Sequence, residues 1–541
     1  LALLLGFALV AAACGGDDGD GDTEAGETEE ESTPTTQAGI STTVAESGGA
    51  DDEEEAAADT AGPAGTLRMV EFSPVTTFDP AGSQTAQAAY LYGEYDTLTR
   101  QNSEFGLEPA MATSWEQPDP TTWVFQLRDD IVFHDGSPFD AEVAAANVDY
   151  HKNFAGNPNA AVWTNVTGAE ATGDYELTVS FANPQPQFPI QMSMVMGMQI
   201  SGEAIAAGGD LTRAPAGSGP WVWSEDESEA GVTEIYNLFD GHYDPADQGV
   251  ERIEVTAVPD NTARLNALLT GDADIMATIR DAQIDEAEDA GMTVLSIPNN
   301  YHYILISGRD GAIDEPLADE KVRQAIGFAI DRDAYNNAIC AGRADANSGI
   351  YPPAFTEWHD PSLNDATTFD QERARELLAE AGYPDGLTIQ MPLMPAIQPH
   401  VELVVQMLAA VGITTDIIQI NNGELGPRTR QGDWGINWLR DLLYHPANDL
   451  PRFVDTEGTY NVFNLDDVAD LSDLLVDAAA ATELSEQQDL YGQVAAGIIE
   501  RGVQVPLSHC SQNAAWSDNV SGVVMGLNMQ APMPFGVRVD G

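Results

Sequence analysis

Residues 123–143 read WVFQLRDDIVFHDGSPFDAEV, and the architecture follows from how this stretch changes period. From Trp123 to Leu127 apolar and polar side chains alternate, the two-residue repeat of a strand with one buried face. Phe133-His134-Asp135-Gly136 is then a turn signal. Asp140 directly precedes Ala141-Glu142-Val143, where its carboxylate fits an N-cap that accepts from an otherwise unpartnered helix amide. Strand, turn and capped helix thus follow one another in a short span.

The same alternation continues downstream. Val322, Ala325, Ile326 and Ala329 recur at helical spacing, and Asp331 is placed to cap a second helix. Ala374, Leu377, Leu378 and Ala381 form the apolar stripe of a third, which Gly382 stops. Leu387 to Leu393 reads as a strand. Val401, Val404, Val405 and Leu408 mark a helix closed by Gly412, and Ile413 to Ile420 reads as the next strand. Strand, crossover helix and strand in this order require parallel pairing with a right-handed crossover. Near the end, Ser485-Glu486-Gln487-Gln488 fits a capping box. The helix it opens carries Leu490, Val494 and Ile498 and stops at Gly502.

With 541 residues and 43% hydrophobic side chains the chain is long enough for two or three domains with real cores. The long apolar run, Leu1 to Ala13, is too short to span a bilayer. It ends in Val10-Ala11-Ala12-Ala13-Cys14-Gly15, small residues followed directly by Cys, which looks like a bacterial lipobox. Residues 1–14 are therefore expected to be a lipoprotein signal segment, with Cys14 carrying a lipid anchor. Residues 15–65 hold acidic and small residues with almost no large apolar side chain. They are expected to be a disordered acidic linker.

Formal net charge is −67, and only Lys152 and Lys321 are lysines. Such a surface repels nucleic acid and anionic lipid. Capture of cationic ligands is one reading of it, and a solvated acidic surface suited to a salty habitat is the preferred one. Beyond Cys14 two cysteines remain, Cys340 and Cys510. An extracytoplasmic compartment permits a disulfide between them, and free thiols stay equally open.

The stretch at 123–143 resembles the signature of the family 5 bacterial extracellular solute-binding proteins, the dipeptide, oligopeptide and nickel receptors of ABC transporters. Four more blocks are similar and occur in the family's order. They are Pro215-Ala216-Gly217-Ser218-Gly219-Pro220-Trp221, Asp319 to Ile326, Ala329-Ile330-Asp331-Arg332, and Ala374 to Gly386. The resemblance implies a two-lobed periplasmic-binding-protein-like α/β fold of the class II type, with an extra subdomain in the first lobe. Lobe I is expected at 66–306 with 508–541, its extra subdomain at about 108–214, and lobe II at 307–507. The chain would cross between lobes near Tyr301–Ser307 and Val505–Cys510 and close by hinge motion.

Residues 435–441 read GINWLRD, a short apolar run that turns abruptly charged. They resemble the family segment in which a Trp is followed three places later by an Asp that pairs with a peptide's α-ammonium. Asp441 is thereby the candidate ligand carboxylate, with Trp438 and Asn437 lining the pocket. The family's Pro soon after this Asp is displaced here to Pro446, and Arg440 is an alternative partner in a plain ion pair. Tyr301, His302 and Tyr303 lie at the first crossing, as ligand-stacking residues or as interlobe packing. Tyr90, Tyr92, Arg428 and Arg430 are weaker candidates, and His134 reads as structural.

No Gly-x-Ser-x-Gly elbow, His-Glu-x-x-His pair or phosphate-cradling Gly-Lys motif occurs, and no two His have metal-ligand spacing on one helix. The expectation is a receptor and not an enzyme, without catalytic residues, metal or cofactor. It would be a monomer, lipid-anchored to the bacterial cell membrane on its periplasmic or outer face, that hands a small peptide-like solute to an ABC permease and ATPase. An oligosaccharide, opine or metal-chelate receptor, a ligand sensor without transport, and a secreted hydrolase are the alternatives.

Overall fold

The computed structural model describes residues 62–102, 106–422, 424–456, 458–481, 483–526 and 532–540. Cys14 and nearly all of the acidic 15–65 segment lie outside the described residues.

The opening stretch folds as its period dictates. Thr122–Leu127 is a strand whose inward side chains Trp123, Phe125 and Leu127 are buried. It sits inside a four-stranded antiparallel sheet ordered Ala112–Asp119, Thr122–Leu127, Glu176–Phe181, Val166–Gly173. In the following turn the Asp135 carboxylate accepts from the Ser137 amide at 2.9 Å, and Gly136 takes φ +84°. Asp140 accepts from the Val143 amide at 2.9 Å and caps the helix Ala141–Asn153, a contact worth about 1 kcal/mol. The helix buries Ala141, Ala144 and Val148 against the sheet.

His134 is tied into this turn from both sides. Nδ1 faces Glu94 Oε1 at 2.9 Å, and Nε2 faces the Gly219 carbonyl at 2.9 Å. Burial by itself lowers the imidazole pKa, but the Glu94 charge and the two acceptors outweigh it and raise it. The sign of the linkage follows. Stability from the protonated ring is fully present below about pH 6.5 and is lost as pH rises through the raised folded value. The gap in urea midpoint between the native chain and His134→Gln should therefore be widest below pH 6.5 and narrow in alkali. A gap independent of pH would show that the ring acts only by its shape.

The largest sheet has eight strands, ordered Ile436–Leu442, Thr293–Ile306, Gln504–Trp516, Ile275–Met276, Thr66–Glu71, Arg252–Ala257, Thr233–Leu238, Trp221–Trp223. Two of its strands are unusually long, Thr293–Ile306 and Gln504–Trp516. They pair antiparallel, with Tyr301 opposite His509 and Leu305 opposite Gln504. The expected βαβ unit is present: Leu387–Leu393 and Ile413–Gln419 are parallel and joined by the helix Gln398–Ala410. Asp331 caps Arg332–Ile339 by accepting from Ala334 N at 2.9 Å. The capping box is not formed. The last long helix spans Leu484–Glu500 with Glu483 at its N-cap, so Ser485 already lies in the first turn. Glu486 and Gln487 amides there donate to the Glu483 carbonyl.

Buried apolar side chains gather in sequence-separated clusters. The largest draws only on residues 301–507. A second combines 67–95, 195–275 and 520–537, and a third lies within 98–196. Each fully buried aliphatic side chain in them contributes about 1.5–3 kcal/mol. The two long paired strands run between these cores. Tyr301 and Tyr303 to Ile306 belong to the largest cluster, whereas Ile297 and Ala514 join a small one beside Met525.

Candidate functional site

Strand alternation decides which candidates meet. Ile436–Leu442 pairs antiparallel with Thr293–Ile306, placing Tyr301 opposite Asp441, His302 opposite Arg440 and Ile304 opposite Trp438. Directly opposed residues share a face, and successive residues change face. Asn437, Asp441, Tyr301 and Tyr303 thus belong to one side of the sheet, and His302, Trp438 and Arg440 to the other. Trp438 does not share a pocket with Asp441.

On the first face the Tyr303 hydroxyl donates to Asp441 Oδ2 at 2.5 Å. Arg452 Nη1 reaches the same oxygen at 3.3 Å, and its Nη2 stands 3.6 Å from Asp449 Oδ1. The Tyr460 hydroxyl also bonds Asp441, whose charge is the main cause of that phenol's raised pKa. Burial pushes the Asp449 carboxyl up to about 6, even with Arg452 beside it. For Arg452, burial opposes its charge, but the two carboxylates prevail and its pKa is raised. Tyr301 stacks on Tyr303 at 4.8 Å and on His509 at 5.2 Å, and its hydroxyl donates to Gln504 at 3.0 Å. Tyr301, Tyr303 and Asn437 are fully buried, whereas Asp441 and Arg452 keep 13% and 26% side-chain exposure. Solvent reaches this face at the charged pair.

The second face is a ring cluster. Trp438 Nε1 donates to Tyr335 Oη at 2.9 Å, and its ring lies 5.1 Å from His302 and 4.5 Å from His400. Burial drives His302 well below the usual imidazole range and His400 to about 4, so both are neutral at pH 7. Arg440 is exposed, yet the protein around it desolvates its guanidinium and lowers its pKa. It makes no ion pair with Asp441; the carboxylate's partner is Arg452. Cys340 is joined to Cys510, Cα to Cα 5.4 Å, linking the end of Arg332–Ile339 to Gln504–Trp516 beside His302.

The remaining candidates divide. Tyr90 is a packing residue whose hydroxyl donates to the Ser73 carbonyl at 2.9 Å. Tyr92 is buried and close enough to Tyr444 to raise that phenol's pKa, burial being the larger cause. Tyr444 in turn packs on the 98–196 cluster. Arg428 is engaged by Glu424 and Asp433. Arg430 is exposed, has no ion pair among the described residues, and is near enough to Tyr460 to offset part of its shift. Sequence reading missed Arg452, Asp449 and Tyr460. The available signal was Pro446 and Pro451, each opening a helical turn, with Asp449 and Arg452 three residues apart.

Among the described residues two clusters have metal-ligand composition, His302-Cys340-Cys510 and Asp96-His242-Asp247. The thiols of the first are spent on each other. In the second, Arg100 donates to Asp247 at 2.6 Å and to Asp96 at 3.2 Å, so a guanidinium already supplies the cation.

A probable di/tripeptide-binding protein of Pseudomonas aeruginosa is 27% identical over 449 residues, 76% of this chain and 84% of that protein. The glutathione-binding protein GsiB of Escherichia coli is 25% identical over 481 residues, 83% of this chain and 90% of its own. The periplasmic binding protein DppA of Helicobacter pylori, solved with the peptide STSA, superposes with a TM-score of 0.73 at 20% identity. That superposition covers 89% of this chain and 99% of DppA, and it places the α/β fold among those of periplasmic binding proteins. The model of the middle region of family 5 matches residues 106–460. That span is well over half of the sequence, and the chain belongs to the bacterial extracellular solute-binding proteins of family 5.

Proposed function

We propose that this protein is the lipid-anchored receptor of an ABC importer, closing two lobes around a peptide-like zwitterion and presenting it to a membrane permease. Asp441 carries the reading. It is a partly exposed carboxylate that takes three donors, with Tyr303 and Arg452 both on Oδ2 and the Tyr460 hydroxyl besides. A carboxylate has about four acceptor sites, so capacity remains for a ligand ammonium. Such a charge-assisted bond strengthens as lobe closure removes water. Arg430, unpaired among the described residues, and Arg452 supply positive charge for the ligand's carboxylate.

The lobes are proposed at 66–306 with 508–541 and at 307–507, with the extra subdomain at about 108–214. The sequence-separated buried clusters and the two long paired strands support that division. Tyr444, from the second lobe, packs on a cluster of the first and sits where a closing cleft would make contact. Tyr303 supports the carboxylate from behind, Tyr301 stacks on Tyr303, and Asn437 donates to Thr429 on the same face. Trp438 and His302 stiffen the opposite face. Anchoring at Cys14 rests on the lipobox and leaves the body tethered outside the membrane. No helix among the described residues is long and apolar enough to cross a bilayer.

Calorimetric titration with di- and tripeptides tests the reading. Asp441→Asn should weaken binding about tenfold or more, near 1.4 kcal/mol, and N-acetylation of the peptide should do the same to the native protein. Unchanged affinity in both arms would remove Asp441 from the site. Peptide consumed during the titration would make the protein a hydrolase.

A further inference from the structure

A cavity of about 330 Å³ lies between the loop at 349–363 and the helix Leu484–Glu500. That volume is at the lower end of small-molecule sites, roughly 300–1,000 Å³. Tyr351 and Tyr491 are its buried aromatic surfaces, and the half-buried Trp358 forms a wall. The Trp358 ring lies 5.7 Å from that of Tyr491 and 4.6 Å from that of His445, edge to face in both cases.

Glu357, Asp360 and Asp489 line the same cavity, which has no Lys or Arg in its lining. None of the three makes an ion pair with a described base. Burial raises the Glu357 pKa, the mark of a carboxylate held partly out of water without a cation beside it. Burial also pushes His445 down to about 4, so that ring adds no positive charge at neutral pH. A separate observation concerns Tyr491. It is 3% exposed, and its hydroxyl has no hydrogen-bond partner among the described residues. A buried phenol normally finds one, and a ligand in the cavity it lines would supply it.

We propose that this cavity is a second binding site, adjoining the Asp441 cluster through Tyr351, whose hydroxyl donates to Asp449 at 3.3 Å, for a small organic ammonium ion. Trp358 and Tyr491 supply the aromatic surface that attracts a cation, and Glu357, Asp360 and Asp489 supply the charge. Tyr351 touches Asp449, the carboxylate beside Arg452, but the side chains proposed to hold the cation make no ion pair or hydrogen bond with Asp441 or Arg452, so the site does not depend on the peptide reading.

The test is a titration of the full chain with choline and with its neutral isostere 3,3-dimethylbutan-1-ol, followed by calorimetry and tryptophan fluorescence. Choline should bind saturably at one equivalent, and the isostere about tenfold more weakly or worse. Glu357→Gln, checked for an unchanged urea midpoint, should weaken choline several-fold, whereas Asp441→Asn should not. No saturable choline binding, or equal binding of the isostere, would overturn the proposal. So would a loss that follows Asp441→Asn and not Glu357→Gln, since the cation would then belong to the peptide cleft. If Glu357→Gln does not fold, the isostere comparison on the native chain decides alone.

Discussion

Arg452→Met should lower stability by about 3 kcal/mol near pH 8, the low end of what removing one partner from a buried ionic cluster costs, because Arg452 keeps 26% side-chain exposure. Arg452 is the cation shared by Asp441 at 3.3 Å and Asp449 at 3.6 Å, and its Nε donates to the Asp449 carbonyl at 3.1 Å. Its guanidinium also lies 5.4 Å from the Phe453 ring and 5.8 Å from that of Tyr460. Met preserves much of the stem packing, so the loss reports the charge. Its pH dependence identifies the mechanism. Asp449 is buried, with a carboxyl already raised to about 6. A raised carboxyl favours folding below about 3.8, and that advantage is lost as pH rises through about 6. Without Arg452 the folded value climbs further, so acidification should relieve the variant more than the native chain. Arg452→Met with Asp449→Asn should recover part of the loss at pH 8. Urea midpoints at pH 5 and pH 8 give the answer, and a penalty equal at both would mean that lost packing, not unpaired charge, is responsible.

That arrangement shows where the sequence was legible. Local periods and caps stood plainly in it: the 122–127 strand, the Asp140 and Asp331 caps, and the parallel pair around Gln398–Ala410 all follow from nearest-neighbour physics. The capping box at Ser485 was misread because Glu483, two residues earlier, already occupies the N-cap. The candidate site was legible only to the level of a segment. Strand parity is present in the sequence, and reading it through residues 437–441 would have separated Trp438 from Asp441. The identity of the partner was not accessible in that way. Arg440 adjoins Asp441 in sequence and points to the opposite face, whereas Arg452 returns to it through two Pro-initiated helical turns. Cross-strand register between Tyr301 and Asp441, 140 residues apart, is likewise set by tertiary pairing and not by local propensity.

Gly217→Ala should be among the most damaging single-methyl additions at the described glycines. A Cβ there would stand 2.0 Å from the Glu94 carbonyl oxygen, 2.8 Å from its carbon and 2.8 Å from Tyr95 Cδ1. The nearest atoms are backbone, so no rotamer change can clear them, and overpacking of this kind costs about 1–3 kcal/mol or more. The strain would not remain local. The Gly217 carbonyl accepts from the His134 amide at 2.8 Å, its amide approaches Glu94 Oε1 at 3.3 Å, and Glu94 also pairs with His134 and accepts from the Trp223 amide. Moving the 215–221 segment outward therefore pulls apart two sequence blocks that resemble the family, the 123–143 turn and the Pro215 to Trp221 turn. The expected outcome is a fall in urea midpoint equivalent to at least about 3 kcal/mol, with a weakened pH dependence of the His134 contribution because Glu94 no longer holds its place. Gly136→Ala is the control: its φ of +84° is strained for any Cβ, but nothing lies within 4 Å of the added methyl, so it should lose only about 1 kcal/mol. Equal midpoints for the two variants would show that the 215–221 segment can yield, and that the Glu94–His134 pair does not depend on the close approach of Gly217.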